Sequence, residues 1–387
     1  MILKYIRKAK PLSNEGKASA GARVAVWGNV GRVAWSPRDT ASLTKIGFHG
    51  NPVGYRAVKM IAEAAAALPV ICQDARRRYD THPALKLITR PNMEQGRADL
   101  MEAAYVQLLL SGNAYLEAVL ADEGWPVELH VLRSDRMSVV PGADGWPAAY
   151  DYSVGSRKHR FPAEGICHIK SVNPRDDHYG LAPMQAAATA IDVHNAASRW
   201  SKALLDNAAR PSGAIVYRGM EGGGAMSQDQ FERLQSELES HHQGARNAGR
   251  PMLLEGGLDW KPMGFSPSDM EFQKTKEAAA RDIALAFGVP PMLLGIPGDA
   301  TYANYAEAHR AFYRLTVLPL AHKVLASMSH WISGLGGERV ELRPDLDQVP
   351  ALAAEREAQW RRISDAEFLT ETEKRRLLGL PDRPEAT

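Results

Sequence analysis

The sequence predicts an α+β protein, in which small antiparallel strands and long helices occupy different stretches of the chain. Short strand-like segments, separated by turns such as DEG and GADG, are concentrated between residues 70 and 170. Long alanine-rich helical segments dominate after Pro183. With 387 residues, of which 45% are hydrophobic and 24% charged, the chain can bury a sizeable core divided over two or three domains.

The charge balance and the cysteines narrow the class of protein. Lys and Arg total 47 against 45 Asp and Glu, and this net charge of +2 argues against a dedicated nucleic-acid-binding protein. Cys72 and Cys167 are far apart, which indicates buried small side chains in a reducing compartment rather than a disulfide framework. The start, MILKYIRKAKPLS, lacks an apolar signal region, and no segment approaches the ~20 apolar residues of a membrane span. We therefore expect neither a secreted nor a membrane-embedded protein.

The first segment, residues 1 to 45, carries nine Lys and Arg but only two acids, with scattered Gly and Ser. This pattern predicts a mobile basic arm and is more typical of a solvated tail than of a specific DNA-binding arm. Order should begin at Asn51-Pro52, because an N-cap residue followed by proline at the first helical position opens a helix.

Residues 46 to 182 combine helices with strands. The helices are YRAVKMIAEAAAAL and the segment through RADLMEAAYVQLLL, and the strands are VICQ, NAYLEAVL, PVELHVL, RMSVVP, AAYDYSV and ICHIK. The short turns between the strands predict an antiparallel sheet packed on the helices, in one α+β domain.

A long helical rod is predicted over residues 183 to 210. About 26 helical residues give roughly 40 Å of rod at 1.5 Å per residue. Its polar residues recur at helical spacing and predict one polar stripe: Gln185, Asp192, Asn195, Arg199, Lys202 and Asp206. The other faces are rich in alanine, so the rod must pack closely against other helices, either in the same chain or in another subunit.

Residues 211 to 265 read as a small β-α-β-β insert between two long helices. The second helix, within residues 266 to 288, has a capping box formed by Ser268 and Glu271 and stops at Gly288. Two long helices thus flank a compact insert.

The segment GVPPMLLGIPGDATYANY covers a proline-rich loop, residues 289 to 303. A helix capped by Asn304 and Glu307 follows, and Pro319 should kink it because proline removes one backbone hydrogen bond. This helix and a following strand complete residues 304 to 345. The last stretch, residues 346 to 387, alternates charges and predicts one or two short solvated helices.

The sequence contains no GxxxxGK[ST], GxSxG, HExxH, CxxC or GxGxxG motif. Asp176, Asp177 and His178 could serve acid–base or metal chemistry, but acids just ahead of a helix are normally turn or capping groups. Likewise, no base or phosphate cradle accompanies Asp299 and Thr301. We therefore assign no catalytic residue, metal or cofactor.

The order of these parts resembles that of the portal proteins of tailed double-stranded DNA bacteriophages, in the siphophage-type family that includes the portals of gene transfer agents. The resemblance rests on five short sequence motifs: LITRPN (87 to 92), GNAYLE (112 to 117), YGLAPMQAA (179 to 187), GVPPMLLG (288 to 295) and ATYAN (300 to 304). Each motif alone is weak evidence for the family, but their order over residues 46 to 345 is specific.

The resemblance implies a dodecameric ring at one capsid vertex, in a virion or phage-like particle assembled in the host cytoplasm. It assigns the segments as a wing (46 to 182 and 304 to 345), a stem (183 to 210 and 266 to 288), a clip (211 to 265), a tunnel loop (289 to 303) and a reduced crown (346 to 387). Its implied partners are double-stranded DNA in transit, the terminase large subunit, a head–tail adaptor and the major capsid protein, with no membrane. The absence of a P-loop agrees with a motor on another protein.

Three groups of residues are the candidate sites under this resemblance. The tunnel loop would present to DNA Gly295, Ile296, Pro297, Gly298, Asp299, Ala300, Thr301 and Tyr302. The stem stripe would present Asp192, Asn195, Arg199, Lys202 and Asp206, to the channel or to a neighbouring subunit. The clip would dock partners through Gln228, Arg233, His241, His242 and Arg246, which otherwise read as a solvated helix face.

Two other interpretations stay open at this point. One is a soluble enzyme that uses the region of Asp176, Asp177 and His178, and the other is a structural adaptor ring that never touches DNA. Near-neutral composition favours a conduit, since a chain that neutralises many phosphates would bind DNA tightly and resist its passage.

Overall fold

The computed structural model describes residues 35–74, 76–120, 125–206, 213–217, 229, 258–262, 267–298 and 302–381. The chain divides after Trp35, and every element below lies in the unit that begins at Ser36. Residues 1–34 of the predicted basic arm therefore lie outside the described residues. Within the described part of the chain, no helix has the length and apolar character needed to cross a membrane.

Helices account for most of the described chain. In chain order they are α1 (Thr40–Leu43), α2 (Pro52–Ala66), α3 (Pro83–Thr89), α4 (Arg97–Ser111), α5 (Pro183–Ala186), α6 (Ala188–Asp206), α7 (Pro267–Phe287), α8 (Tyr302–Phe312), α9 (Leu318–Gly336), α10 (Ala353–Ser364) and α11 (Glu371–Leu377). Two π-helical segments, Thr44–His49 and Tyr313–Val317, adjoin α1 and α8.

The strands are β1 (Val70–Gln73), β2 (Arg78–Tyr79), β3 (Asn113–Leu120), β4 (Pro126–Leu132), β5 (Met137–Pro141), β6 (Pro147–Val154), β7 (Arg157–Pro162), β8 (Ile166–Lys170), β9 (Gly213–Tyr217), β10 (Leu258–Pro262) and β11 (Glu341–Pro344). They form three antiparallel sheets of three strands, with orders β11-β1-β2, β4-β3-β8 and β5-β6-β7, and a two-stranded pair of β9 and β10. All six strands predicted before residue 171 are present.

The prediction of one sheet is wrong, because the strands divide among three. A 3₁₀ turn at Ser134–Arg136 separates β4 from β5, and β5 then pairs with β6. The strand β1 pairs with β11, in the register Ile71 to Arg343, across most of the chain. The alternation of apolar and polar residues identifies a strand but does not determine which strand it pairs with. Pairing depends on contacts between residues far apart in sequence.

One hydrophobic core joins both long helices to the helices and strands of residues 36 to 182. Its fully buried side chains include Ile61, Leu100, Met184, Ile191, Ile283 and Met328. The small residues Ala188 and Ala197 of α6 are buried within this same chain. The alanine-rich faces of α6 thus find packing partners inside the protomer. A second, smaller cluster lies between the β-sheets around Tyr115 and Tyr150.

Order begins earlier than residue 46, which corrects the predicted boundary of the basic arm. Leu43 is buried in the main core. Ser36 and Arg38 contact the Asp192 carboxylate of α6. Hydrophobic burial and an ion pair therefore fix residues 36 to 45 on the body of the protein.

Helix boundaries follow the predicted stop and start signals in part. The Asn51 cap and Pro52 are confirmed, as is the stop before Gly288. The long rod, however, is divided into α5 and α6 at Ala187. The helix α8 starts at Tyr302, so that Asn304 lies inside it rather than capping it.

The helix α7 likewise begins at Pro267, one residue before the predicted cap Ser268. The kink predicted at Pro319 stays a prediction, and a π-helical segment, Tyr313–Val317, lies directly before α9, in which Pro319 is the second residue. This arrangement fits the loss of a backbone hydrogen-bond donor at proline. The predicted short C-terminal helices are present as α10 and α11.

We expect Asn51→Ala to destabilise the protomer by about 2–4 kcal/mol, because it removes a helix cap and leaves buried polar partners on α6 without hydrogen bonds. Asn51 is 1% exposed; its Oδ1 accepts from the backbone N–H groups of Val53 and Gly54, and its Nδ2 donates to Asn195. Equilibrium denaturant unfolding would measure the loss.

The matched control is Thr370→Ala, which removes the exposed cap of α11. It should cost no more than about 1 kcal/mol. Equal losses in the two variants would contradict the role given to Asn51.

Candidate functional site

The helices α6 and α7 lie against each other and lead into the loop that follows Gly288. Their contact includes the Trp200 and Phe272 rings, which stack with centroids 4.2 Å apart. Closer to the core, α7 buries one face of mostly small side chains: Ala279, Ala280, Ile283, Ala284 and Phe287. Small residues allow close approach of neighbouring helices, so the pair is held at its root by the body of the protein.

The opposite face of α7 is exposed. Lys274, Ala278, Arg281 and Leu285 follow one another at intervals of four, three and four residues and form a stripe along the helix. Leu285 is 78% exposed, although it is a large aliphatic side chain. We call this set the α7 stripe. It combines positive charge, a small residue and an apolar residue on one surface.

The polar stripe predicted on α6 is not one continuous exposed face. Asp192 and Asn195 are buried, whereas Arg199 and Lys202 are exposed. Asp206 is described only as the end of the helix. The first half of α6 therefore buries Asp192 and Asn195 within the protomer. Only the second half, with Arg199 and Lys202, presents charge at the protein surface.

Buried Asp192 is neutralised by the segment before α1. The backbone N–H of Ser36 donates to Asp192 at 3.2 Å, the Ser36 hydroxyl donates to the other carboxylate oxygen, and Arg38 Nη2 lies 3.8 Å away. A carboxylate loses its hydration when it is buried, so these donors replace water. Sequence patterns could not predict this pairing, because the partners are more than 150 residues apart along the chain.

Next to it, Asn51, His194 and Asn195 form a buried polar cluster. Asn51 Nδ2 lies 3.1 Å from His194 Nδ1 and 2.9 Å from Asn195 Oδ1, and Asn195 Nδ2 donates to the carbonyl of Ile46. Burial lowers the pKa of His194, and the positive charge of Lys276 on α7 acts in the same direction. The cluster thus favours a neutral imidazole between α2 and α6.

The first part of the loop after α7, residues 288 to 294, is held in place by a hydrogen bond and by burial in the core. Gly288 has φ of +67°, and a Cβ there would lie 2.8 Å from Thr316 Oγ1. That hydroxyl donates to the Gly288 carbonyl at 2.5 Å. Val289 and Leu293 are then buried in the core on either side of the 3₁₀ turn Pro291–Leu294. Residues 288 to 294 are therefore an anchor and not a free loop.

The second part of the loop is its exposed tip. Gly295 adopts φ of +72° and turns the chain outward, and Pro297 and Gly298 are exposed while Ile296 is half-buried. Arg281 of the α7 stripe donates to the Pro297 carbonyl at 2.7 Å and ties the tip to the helix. Asp299, Ala300 and Thr301 lie outside the described residues. Tyr302 is the first residue of α8 rather than part of the loop.

The candidate acid–base group lies in a turn. Asp176 accepts hydrogen bonds from the backbone N–H groups of His178 and Tyr179, at 2.9 and 3.1 Å. Lys170 donates to the backbone carbonyl of Asp177. Asp176 therefore stabilises the turn before α5. Among the described residues, no set of three or more His, Cys, Asp or Glu is placed to hold a metal ion.

The insert between α6 and α7 is described only at its two ends. β9 and β10 pair as antiparallel strands, with Ile215 opposite Trp260, as the outer strands of the predicted β-α-β-β pattern. The candidate docking residues of the insert lie outside the described part of the chain: Gln228, Arg233, His241, His242 and Arg246.

Sequence reasoning also missed a half-buried histidine on strand β8. His168 on β8 stacks on Tyr115 with ring centroids 4.2 Å apart and lies 3.0 Å from Asn113 Oδ1 through its Nε2. Burial lowers the pKa of His168 to about 3. Both cysteines are buried and free, as the spacing predicted.

Comparison with known proteins places nearly the whole chain in one family. The family described as "Phage portal protein" matches residues 52–379. A relative from Rickettsia bellii (strain RML369-C), described as an uncharacterized protein, is 38% identical over 341 residues, which cover 86% of this chain and 88% of the relative.

Two solved structures are closely similar. A chain in the neck of an empty gene transfer agent (GTA) particle, computed with C6 symmetry, is 70% identical with a TM-score of 0.75 and covers 91% of this chain and 96% of its own length. A chain in the neck of a native GTA particle, computed with C12 symmetry, is 68% identical with a TM-score of 0.74, over the same shares of both chains.

Proposed function

The chain belongs to the phage portal protein family, and from this membership we propose that its copies form the ring at one capsid vertex through which double-stranded DNA enters and leaves the particle. The observation that carries the proposal is 70% identity, over 91% of this chain, to a chain in the neck of a GTA particle. It is a portal protein of a phage or GTA particle, and its place is the portal vertex.

Twelve subunits is the ring number that the relatives support. One related neck is described with C12 symmetry and another with C6 symmetry. A twelve-subunit ring contains the six-fold operation, so both descriptions agree with one dodecamer. A closed ring needs a heterologous interface, in which two different surfaces of each subunit meet. The exposed α7 stripe is our candidate for one of those surfaces.

The segments take the roles that the family resemblance gave them, with altered boundaries. The wing is residues 36 to 182 with 302 to 345, the stem is α5, α6 and α7, and the insert at 211 to 265 is the clip. The tunnel loop is reduced to residues 295 to 301, because residues 288 to 294 are packed on the core. A reduced crown follows at residues 346 to 387.

DNA passage is supported by the mixed character of the exposed stem. Outside the α7 stripe, the described exposed charges of α6 and α7 include both signs: Arg199, Lys202, Glu271 and Asp282. Tight binding to a polyanion requires many simultaneous phosphate contacts. A surface of mixed charge permits contact with the duplex without holding it. At the loop tip, Asp299 would repel phosphate.

The partners are the terminase large subunit and a head–tail adaptor at the clip, and the major capsid protein at the wing. The rival enzyme is not supported, since the Asp176 carboxylate is used by backbone donors of its own turn. The rival adaptor ring differs in one property, which is contact with DNA in transit. Packaging assays therefore separate it from a portal.

We expect the purified protein to form twelve-subunit rings, visible in negative-stain images, and Leu285→Glu to weaken them. Removing a buried leucine contact costs about 1.5–3 kcal/mol per interface, so association should fall by tenfold or more. Sedimentation velocity would measure the ring fraction. The control is Leu377→Glu, because Leu377 is 54% exposed on α11, outside the stem.

A wild-type chain that stays a folded monomer at high concentration would count heavily against the ring. Equal assembly of the two leucine variants would remove Leu285 from the interface. Enlarging Ala188 or Ala197 is not an interface test, since both are buried in the protomer and would unfold it.

Shortening the loop tip by removing residues 296 to 300 should leave ring assembly intact and impair DNA packaging or retention. The buried anchors Val289 and Leu293 are untouched by this deletion. Asp299→Asn is the control and should alter packaging only modestly, because the proposed role depends on shape and mobility rather than on a reactive group. Packaged DNA per particle is the readout. Normal DNA packaging by particles with the shortened tip would contradict the assignment of this segment as a tunnel loop.

Replacing the clip, residues 211 to 265, by a short linker should abolish binding of both the terminase large subunit and the head–tail adaptor. Pull-down assays with each partner would measure this. Alanine variants at His241, His242 and Arg246 are the finer test, and should reduce binding without affecting ring formation. Undiminished binding of both partners after the deletion would contradict the proposed role of the clip as their docking site.

A further inference from the structure

A small cavity of about 60 Å³ lies between β11 and the turn that follows α11. It has room for a few heavy atoms. Its polar lining is charged, and consists of Arg78, His322, Arg343, Asp345, Asp347 and Arg356. The cavity is far from the loop tip and clip in sequence, and neither of those sites uses these residues.

Two of the three arginines are already paired. Arg78 Nη2 lies 3.0 Å from Asp345 Oδ2, and Arg356 Nε lies 2.6 Å from Asp347 Oδ1. Both carboxylates have further donors, since Gln348 Nε2 donates to Asp345 and Trp360 Nε1 donates to Asp347. The acids of the lining are therefore committed to other groups.

Arg343 is the remaining cation. Its Nε is buried without a hydrogen-bond partner, and the side chain forms no ion pair within the part of the chain that the structure describes. The turn after α11 lies directly against it, because a Cβ on Gly379 would be 2.7 Å from Arg343 Nη1. Gly379 has φ of +75°, so glycine suits both the conformation and the close approach.

Arg343 is half-buried and has no ion pair among the described residues, which is unfavourable. Glu341 and Asp345 act on its charge favourably through space, whereas Arg78 and Arg356 act in the opposite direction. The guanidinium remains protonated at neutral pH, although burial lowers the pKa of Arg343. Burial first, and then the charge of Arg343, lower the pKa of the neighbouring His322. The cavity therefore holds one excess positive charge, and that charge resides on Arg343.

We propose that this cavity is a site for one oxyanion, a phosphate or carboxylate group, bound by the Arg343 guanidinium. The planar fork of N–H donors on arginine matches the two oxygens of such a group. The oxyanion can be free phosphate, or a carboxylate from a neighbouring copy of this chain, and only the second source rests on the proposed ring.

The first experiment titrates inorganic phosphate at constant ionic strength and follows thermal unfolding of protomers kept unassembled by Leu285→Glu, which serves as the wild-type background for the variants below. Phosphate also stabilises proteins in general by exclusion from their surfaces, so the measured quantity is the difference between variants. Wild type should gain about 2 °C more than Arg343→Met at tenfold excess over the dissociation constant. Arg362→Met, which changes an exposed arginine of α10, should respond like wild type.

Without phosphate, Arg343→Met should melt at or above the wild-type temperature, since methionine removes an uncompensated charge at similar length. Arg343→Lys keeps the charge but lacks the fork, and should show a weaker phosphate response. Parallel titration curves for wild type and both variants would overturn the proposal. Assembled rings then separate the sources: rings that no longer respond hold a neighbour's carboxylate, and rings that still respond bind free phosphate.

Discussion

The buried polar junction at the root of α6 is the constraint on which the arrangement of the long helices depends. Asp192, His194 and Asn195 lie on a helix face that is closed off from water. Each unpaired buried group would cost about 1–3 kcal/mol, so the helix can occupy this position only where partners are supplied. The partners come from residues 36 to 51, at the start of the proposed wing. The start of the wing and the root of the stem are thus one structural unit.

The second long helix, α7, and the loop after it are also held by contacts with distant parts of the chain. α7 ends at Gly288, whose carbonyl accepts from Thr316 in the π-helical segment before α9. Val289 and Leu293 return the chain to the core, and Arg281 holds the carbonyl of Pro297. The loop tip is therefore linked to α7 by one hydrogen bond, and the anchor before it is linked to the π-helical segment ahead of α9 by another.

Sequence reasoning succeeded where the signal was local and failed where it depended on distant partners. The cap Asn51-Pro52, the stop at Gly288 and the strands before residue 171 rest on neighbouring residues, and all are present. The strand β7 was missed because RKHRFP has no apolar alternation and is largely exposed. The pairing of β1 with β11 could not be read from either strand alone.

The candidate site shows the same limit. Helical spacing placed Asp192, Asn195, Arg199 and Lys202 on one face correctly, but spacing does not reveal which part of a face another segment covers. Only knowledge that residues 36 to 51 return to α6 distinguishes its buried half from its exposed half. Likewise, the loop was recognised from its prolines and glycines, whereas the burial of Val289 and Leu293 depends on the tertiary core.

Burial of Asp192 changes the charge that the stem can present to DNA. With that acid committed to Ser36 and Arg38, the described exposed charges of α6 and α7 outside the α7 stripe are two basic and two acidic residues. In the proposed ring the described surface of the stem therefore stays near neutral. Such a surface attracts the duplex through scattered contacts, and each advance of the DNA breaks some of them and forms others. Because the energy of binding rises with the number of phosphates contacted at once, dispersal of the basic groups among acids and small residues limits the barrier to movement.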